Sequence, residues 1–253
     1  MEKPIILMYH DVYLSDPSES GFCSPGANYY KLSSKQFEEH VNRVSALRQS
    51  GKIKNEVIFT FDDGGISFIS VVAPILEKYG YVGHFFIATD KIGQKGFLNK
   101  DQIKRLYCRH HILGAHSASH PEDMRHLEQS NRTYEWEESI RTINHILGAK
   151  TDSVSVPNGY YNKEDIHILA SNNIRIAYTS TIGQNDVIDG VILIGRVAIT
   201  SAVTADYIEK MLTKTRYIKM MQIRQKCLTL TKAVLGNTYM PIKRFFRYIQ
   251  VKL

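Results

Sequence analysis

Cysteine is scarce in this sequence: Cys23, Cys108 and Cys227 are the three among 253 residues. An odd number at wide spacing makes neither a disulfide framework nor a zinc ribbon, and it fits a reducing compartment. Long apolar runs are missing as well. Ile5–Met8 is too short for a signal-peptide core, and the polar His10 and Asp11 follow closely. No stretch approaches the roughly 20 apolar residues of a membrane-spanning helix. These absences together point to a cytoplasmic protein. No internal repeat or low-complexity segment occurs. With 43% apolar and 23% charged residues the chain is globular in composition, which excludes disordered, collagen-like and disulfide-stapled classes. Its length suits one domain or at most two.

Acidic residues are absent from Met211 to Leu253, where ten Lys or Arg occur. The first 210 residues carry 22 basic and 25 acidic side chains, so the overall charge of +7 belongs to the tail. A basic tail implies an anionic partner, either a phospholipid surface or nucleic acid. Ile242, Phe245, Phe246, Ile249 and Leu253 fall on one helical face with Lys243, Arg244 and Arg247 around it. That pattern suits peripheral contact with an anionic bilayer, with a helix packed on the body or a dimer contact as alternatives. Nucleic acid is the weaker partner, because the body is acidic and the tail has no recognisable nucleic-acid fold.

The rest of the chain alternates short apolar runs with helical patterns, the mark of a parallel α/β sheet or barrel. Strands are expected at Ile5–Met8, Val57–Phe61, Val82–Ile87, Ile112–Ala115, Ser153–Val156, Ile174–Tyr178 and Val191–Val197. Ser33 opens a capping box with Gln36 ahead of a helix carrying Phe37, Val41, Val44 and Leu47. Further helices are expected at Ile66–Tyr79 (bent or begun afresh near Pro74 and ended by Gly80), Asn99–His110, Thr133–Leu147, Lys163–Ser171 and Thr204–Lys214. Ser15–Asn28 reads as a long loop. Two parts result: a barrel over 1–205, and a closing helix with a basic helical tail over 206–253.

Two consecutive acids end the second strand in Thr60-Phe61-Asp62-Asp63-Gly64-Gly65. They are either an ordinary acidic turn or two carboxylates brought to one cavity by a backbone turn at the strand end. His116-Ser-Ala-Ser-His120 follows the next-but-one strand, and histidines four apart on a helical turn can hold one metal ion. A chance pair is the alternative in a chain with ten histidines. Both segments lie at the carboxyl ends of parallel strands, the rim where α/β barrels assemble active sites. One Asp and two His give three ligands and an open position, the arrangement of a catalytic metal site.

Thr60-Phe-Asp-Asp-Gly64 followed by His116-Ser-x-x-His120 resembles the first two motifs of the polysaccharide deacetylases, the NodB-homology carbohydrate esterases. Val154-Ser-Val-Pro157-Asn158-Gly159 is similar to their Pro-x-Gly segment. The resemblance implies an irregular (β/α)7-type barrel and metal-dependent removal of acetyl groups from N-acetylated sugars of a surface polysaccharide or lipid-linked precursor. It implies zinc first, with cobalt or nickel as alternatives. Asp62 then corresponds to the general base, Asp63, His116 and His120 to the metal ligands, and Asn158 to the residue whose backbone N–H helps hold the oxyanion. Lipid-linked precursors would place the protein at the inner membrane face.

The chain also departs from the family. Ser155 stands where an Arg usually precedes the Pro, and the late Leu-x-His that supplies the general acid is missing. Met8-Tyr9-His10-Asp11 resembles the Tyr-His segment of the poly-N-acetylglucosamine branch, in which this His looks like the acid; a buried structural imidazole is the other reading of His10. Arg196 can steady Asp62, bind substrate or form a simple ion pair. Tyr160 and Tyr161 either stack on sugar rings or pack. Two functions remain open: a deacetylase, or a catalytically degenerate relative that binds glycan without turning it over.

Overall fold

In a computed structural model of the protein, residues 3–235 are described. In chain order the elements are β1 (Ile5–Tyr9), β2 (Val12–Tyr13), α1 (Pro25–Asn28), β3 (Leu32–Ser33), α2 (Ser34–Gln49), β4 (Val57–Phe61), α3 (Ala73–Lys78), β5 (Gly83–Ile87), α4 (Lys100–Cys108) and β6 (Ile112–Ala115). They continue with α5 (Gln129–Leu147), β7 (Ser153–Ser155), α6 (Lys163–Ser171), β8 (Ile176–Thr179), β9 (Asn185–Ile188), β10 (Val191–Gly195), β11 (Val197–Ala198), α7 (Ala205–Thr213) and α8 (Thr215–Leu235).

The strands β1-β4-β5-β6-β7-β8-β10 are neighbours in that order and run parallel, with β9 antiparallel on β10. The strand expected over Val191–Val197 is broken at Arg196, and the break has a purpose. Before it, Ile192–Gly195 pairs with Ile176–Thr179; after it, Val197 and Ala198 pair with Leu7 and Met8. One run of chain therefore touches both ends of the sheet and curls it into the seven-stranded barrel the sequence anticipates.

Strand alternation separates two apolar layers. Phe59 and Phe61 of β4, with Leu7, Tyr9 and Phe85, pack outward against Phe37, Val41 and Val44 of α2 and against Phe68 and Leu76. The inward layer holds Ile6, Phe86 and Tyr178, with Ile58, Ile176 and Ile194 against them. Above these, toward the carboxyl rim, the interior turns polar at Thr60, Ser155 and Arg196, all buried. Helix α7 closes the wall: Ile208, Met211 and Leu212 are buried in the core, and Arg43 of α2 reaches Asp206 and Glu209 at 2.8 and 2.7 Å.

Several local expectations are corrected. The one for Ile66–Tyr79 stands: the helix begins afresh at Ala73, beside Pro74, after a wide turn at Phe68–Val72 in which Ala73 N–H donates to the Phe68 carbonyl five residues back. Pro74, with no N–H to give, sits just after it. Ser33 caps the Gln36 N–H, but the Gln36 side chain donates to Ser201 and Val203 carbonyls instead of returning to the cap. The Ser15–Asn28 loop contains a tight turn at Pro17–Glu19 and α1. Buried Lys31 pins it by donating to the Pro17 and Ser20 carbonyls, each at 2.6 Å. Helix α8 continues beyond the expected closing helix; the amphipathic face expected over 242–253 lies outside the described residues. No described helix is long and apolar enough to cross a membrane.

Candidate active site

Register along β4 sends Thr60 and Asp62 inward and would send Asp63 outward. A left-handed backbone at Asp63 (φ 85°) reverses that, turning the second carboxylate to the same cavity. Gly65 permits the turn to press against the neighbouring strand end: a Cβ there would fall 1.7 Å from Asp11 Oδ1. Asp11 is fully buried, accepting from the Ser20 and Ser67 hydroxyls at 2.5 and 2.8 Å, and burial raises its pKa. It underpins the acid pair, and sequence reasoning did not single it out.

The two histidines converge, though not by helical periodicity. The segment 116–120 is a loop in which Ser117 (φ 59°) and His120 (φ 62°) are left-handed. Buried Glu135 of α5 holds it, accepting from Ala118 N–H at 2.9 Å, Ser119 N–H at 2.8 Å and the Ser119 hydroxyl at 2.5 Å. His116 Nδ1 lies 2.8 Å from the Ser155 carbonyl. Donating there fixes the ring and leaves Nε2 with its lone pair facing the cavity.

His116 Nε2 and His120 Nε2 stand 3.5 and 3.4 Å from Asp63 Oδ1, and the donor atoms of the three residues all lie within 4.8 Å of one another. A tetrahedral ion bound at ~2.0–2.2 Å separates neighbouring donors by roughly 3.3–3.6 Å. Asp63 Oδ1 is buried and has no hydrogen-bond partner, an orphan of the kind a cation satisfies. The donor set and its spacing fit a divalent metal.

Asp62 lies beside this set, with Oδ2 4.0 Å from His116 Nε2. Arg196 grips it in a two-pronged pair, Nη1 to Oδ1 at 2.8 Å and Nη2 to Oδ2 at 2.7 Å. The same guanidinium donates to Thr60 Oγ1 (3.1 Å), Ser155 Oγ (2.8 Å) and the Thr179 carbonyl (3.2 Å). Ser155 thus leaves room for, and bonds to, a guanidinium arriving from the seam of the barrel. Burial opposes ionisation of Asp62, but the charges of Arg196 and His116 outweigh it and lower the pKa. Burial likewise opposes the Asp63 charge, which His116, His10 and His120 more than offset. His116 is raised against its burial by the Asp62 and Asp63 charges, whereas burial dominates at His120 and lowers it.

His10 continues β1 next to Asp62: Tyr9 pairs with Phe61, and Asp62 N–H donates to the Tyr9 carbonyl at 3.1 Å. Its ring lies 4.8 Å from that of Tyr30, and its Nδ1 is buried without a partner. Asn158 is exposed at the rim in a left-handed conformation (φ 55°), its side chain donating to the Glu122 carbonyl at 3.3 Å. Tyr161 is committed to packing, with its hydroxyl accepting from Gln184 at 2.7 Å. One face of Tyr160 is covered by Arg125, 4.4 Å from the ring centre. Phe22 brings the Ser15–Asn28 segment to the site, 5.2 Å from the His120 ring.

Comparison with known proteins agrees with this geometry. YxkH of Bacillus subtilis (strain 168), whose name places it with the polysaccharide deacetylases, is 25% identical over 232 residues, 83% of this chain and 78% of that protein. Among solved structures, the Streptococcus pyogenes deacetylase PplD shares the fold with a TM-score of 0.67 at 21% identity, over 83% of this chain and 98% of that one. A de-N-acetylase from Aggregatibacter actinomycetemcomitans does so with a TM-score of 0.65 at 17% identity, over 83% of this chain and all of that one. The polysaccharide deacetylase family profile matches residues 49–177, just over half of the chain. That segment carries both acids, both histidines and Asn158, while His10 and Arg196 come from the strands that close the barrel on either side of it. The chain belongs to the polysaccharide deacetylase family.

Proposed function

We propose that the protein is a metal-dependent deacetylase acting on N-acetylated sugars of a polysaccharide or lipid-linked glycan precursor. The observation that carries this reading is the meeting of two separate devices in one cavity: an Asp-His-His set spaced for an ion, and a second carboxylate locked by a guanidinium. A divalent ion, zinc first, held by Asp63, His116 and His120 would supply Lewis-acid polarisation of the acetyl carbonyl and a more acidic water.

The chain's own groups account for the rest. Asp62, kept ionised and fixed in direction by Arg196, takes the proton of the attacking water. The backbone N–H of Asn158 helps stabilise the negative charge that develops on the carbonyl oxygen. His10, at the same rim and with a nitrogen free of other duties, gives a proton to the departing amine. The glycan-binding alternative rests on the missing family Arg and late His. Arg196 standing on Asp62 favours the enzyme, since a guanidinium so fully spent on one carboxylate serves proton transfer better than glycan binding.

The test is acetate release from chitooligosaccharides and from acetylated lipid-linked glycans by the full chain. Activity lost to a chelator and restored by zinc or cobalt is the expected result. Glycan binding without acetate release in the metal-loaded protein would instead establish the binding function.

A further inference from the structure

Among its described residues, helix α8 packs on the body with one side. Tyr217, Ile218, Met221, Gln222 and Gln225 turn toward the body, with Ile218 and Met221 against the core. Gln225 binds the rim loop after β8, accepting from Ile182 N–H at 2.8 Å and donating to the Ser180 carbonyl at 2.6 Å. Ser180 in turn donates to the Asn158 carbonyl at 3.4 Å, so α8 is joined to the border of the active site.

The opposite side carries large apolar groups in solvent: Met220 is 62% exposed, Ile223 62% and Leu230 65%. At 100° per residue these three lie within one narrow stripe, since positions three, seven and ten apart share a helix face. Exposed Lys219 and Lys226 border it on one flank and Arg224 on the other, exposed Arg216 stands in line with it one turn before Met220, and α8 contains no Asp or Glu. An apolar ridge flanked by cations suits a helix that lies in a lipid interface, with the ridge among acyl chains and the cations at the headgroups. Pairing with a second copy would set these cations against their own kind, and the body-facing side already prevents the ridge from turning inward.

We propose that this outer face of α8 docks the protein onto an anionic lipid bilayer. Each cation near such a surface strengthens binding severalfold, in a salt-sensitive way. The proposal is independent of the catalytic assignment, and its test reads binding alone.

Full-length protein is sedimented with vesicles of phosphatidylcholine and phosphatidylglycerol in equal parts, and with vesicles of phosphatidylcholine only. Binding to the anionic vesicles alone, weakened by salt, is expected. Two variants, Met220→Ser/Ile223→Ser/Leu230→Ser and Lys219→Gln/Arg224→Gln/Lys226→Gln, should each bind them at least tenfold more weakly, with circular dichroism and melting unchanged. Should a triple variant fail to fold, Ile223→Trp gives a direct readout, because the only other tryptophan is the buried Trp136. Its emission should shift to the blue with anionic vesicles. Wild-type affinity in the folded triple variants, or an unshifted Ile223→Trp spectrum, overturns the proposal. So does a dimer that the apolar variant dissolves in the absence of any vesicle binding by the wild type.

Discussion

A guanidinium has five N–H groups, and at Arg196 all five have an acceptor, two of them the oxygens of one carboxylate. Arg196 is 1% exposed and Asp62 3%, so neither charge can fall back on water. Replacing Arg196 by Met should therefore cost about 3–5 kcal/mol of stability, because it strands a buried carboxylate. Denaturant unfolding measures this, and a loss below about 1 kcal/mol would mean that water reaches Asp62. Asp62→Asn is the complementary change. It keeps the size of the side chain while removing the proposed base, and should lower turnover by roughly 10²–10⁴-fold with metal content unchanged. Asp62, Asp63, His116 and His120 are legible in the sequence because each pair is compact and ends an apolar run. Arg196 is visible as a candidate, but its acceptors lie on or at the ends of three other strands, β4, β7 and β8. Asp11 and Glu135 are invisible, since their partners are hydroxyls and backbone N–H groups remote in sequence.

Among elements, the loop carrying the two histidines brings them together by a geometry other than the one their spacing implies. Spacing of four suggested a helical turn; two left-handed residues and a buried carboxylate achieve the same convergence. Strain of that kind persists only where surrounding contacts hold it. Glu135→Gln gives up one charge-assisted acceptor for the 118–119 backbone and should weaken zinc affinity by about 10–100-fold, as changes behind metal ligands do. Competition titration against a chelating dye would show it, and an unaltered affinity would assign Glu135 to packing alone. The strands are legible because β-branched and aromatic runs end at Gly or acid. β2 and β3, two residues each, are too short to leave a pattern. The wide turn before Pro74 and the divided strand at Arg196 depend on tertiary contacts that no periodicity records.

At the scale of the whole molecule, acid should be the more damaging direction of pH. Burial holds His84 neutral, with a pKa lowered from 6.5 to about 4, and lowers His40 and His111 in the same sense. The unfolded chain then binds more protons than the folded one between these values. This contribution is intact above pH 6.5 and is lost as the pH falls toward 4. Melting temperature recorded across that window should drop, and His84→Gln should flatten the slope; parallel profiles would remove His84 from the account. His84 sits under Tyr178, whose hydroxyl lies 3.3 Å from Nδ1 and whose own pKa burial pushes up to about 12.

The seam at Arg196 has a consequence for how the molecule comes into being. Leu7 and Met8 acquire one of their two strand neighbours only when Val197 and Ala198 have been made. A chain leaving the ribosome amino end first must keep an edge of its sheet open through most of its synthesis, and closing so long a loop is slow. The residue that aims Asp62 belongs to that last piece. Every unfinished chain should consequently lack an oriented Asp62 carboxylate, however much of the Asp-His-His cluster it has assembled, so that the proposed hydrolysis begins only with completion of the ring.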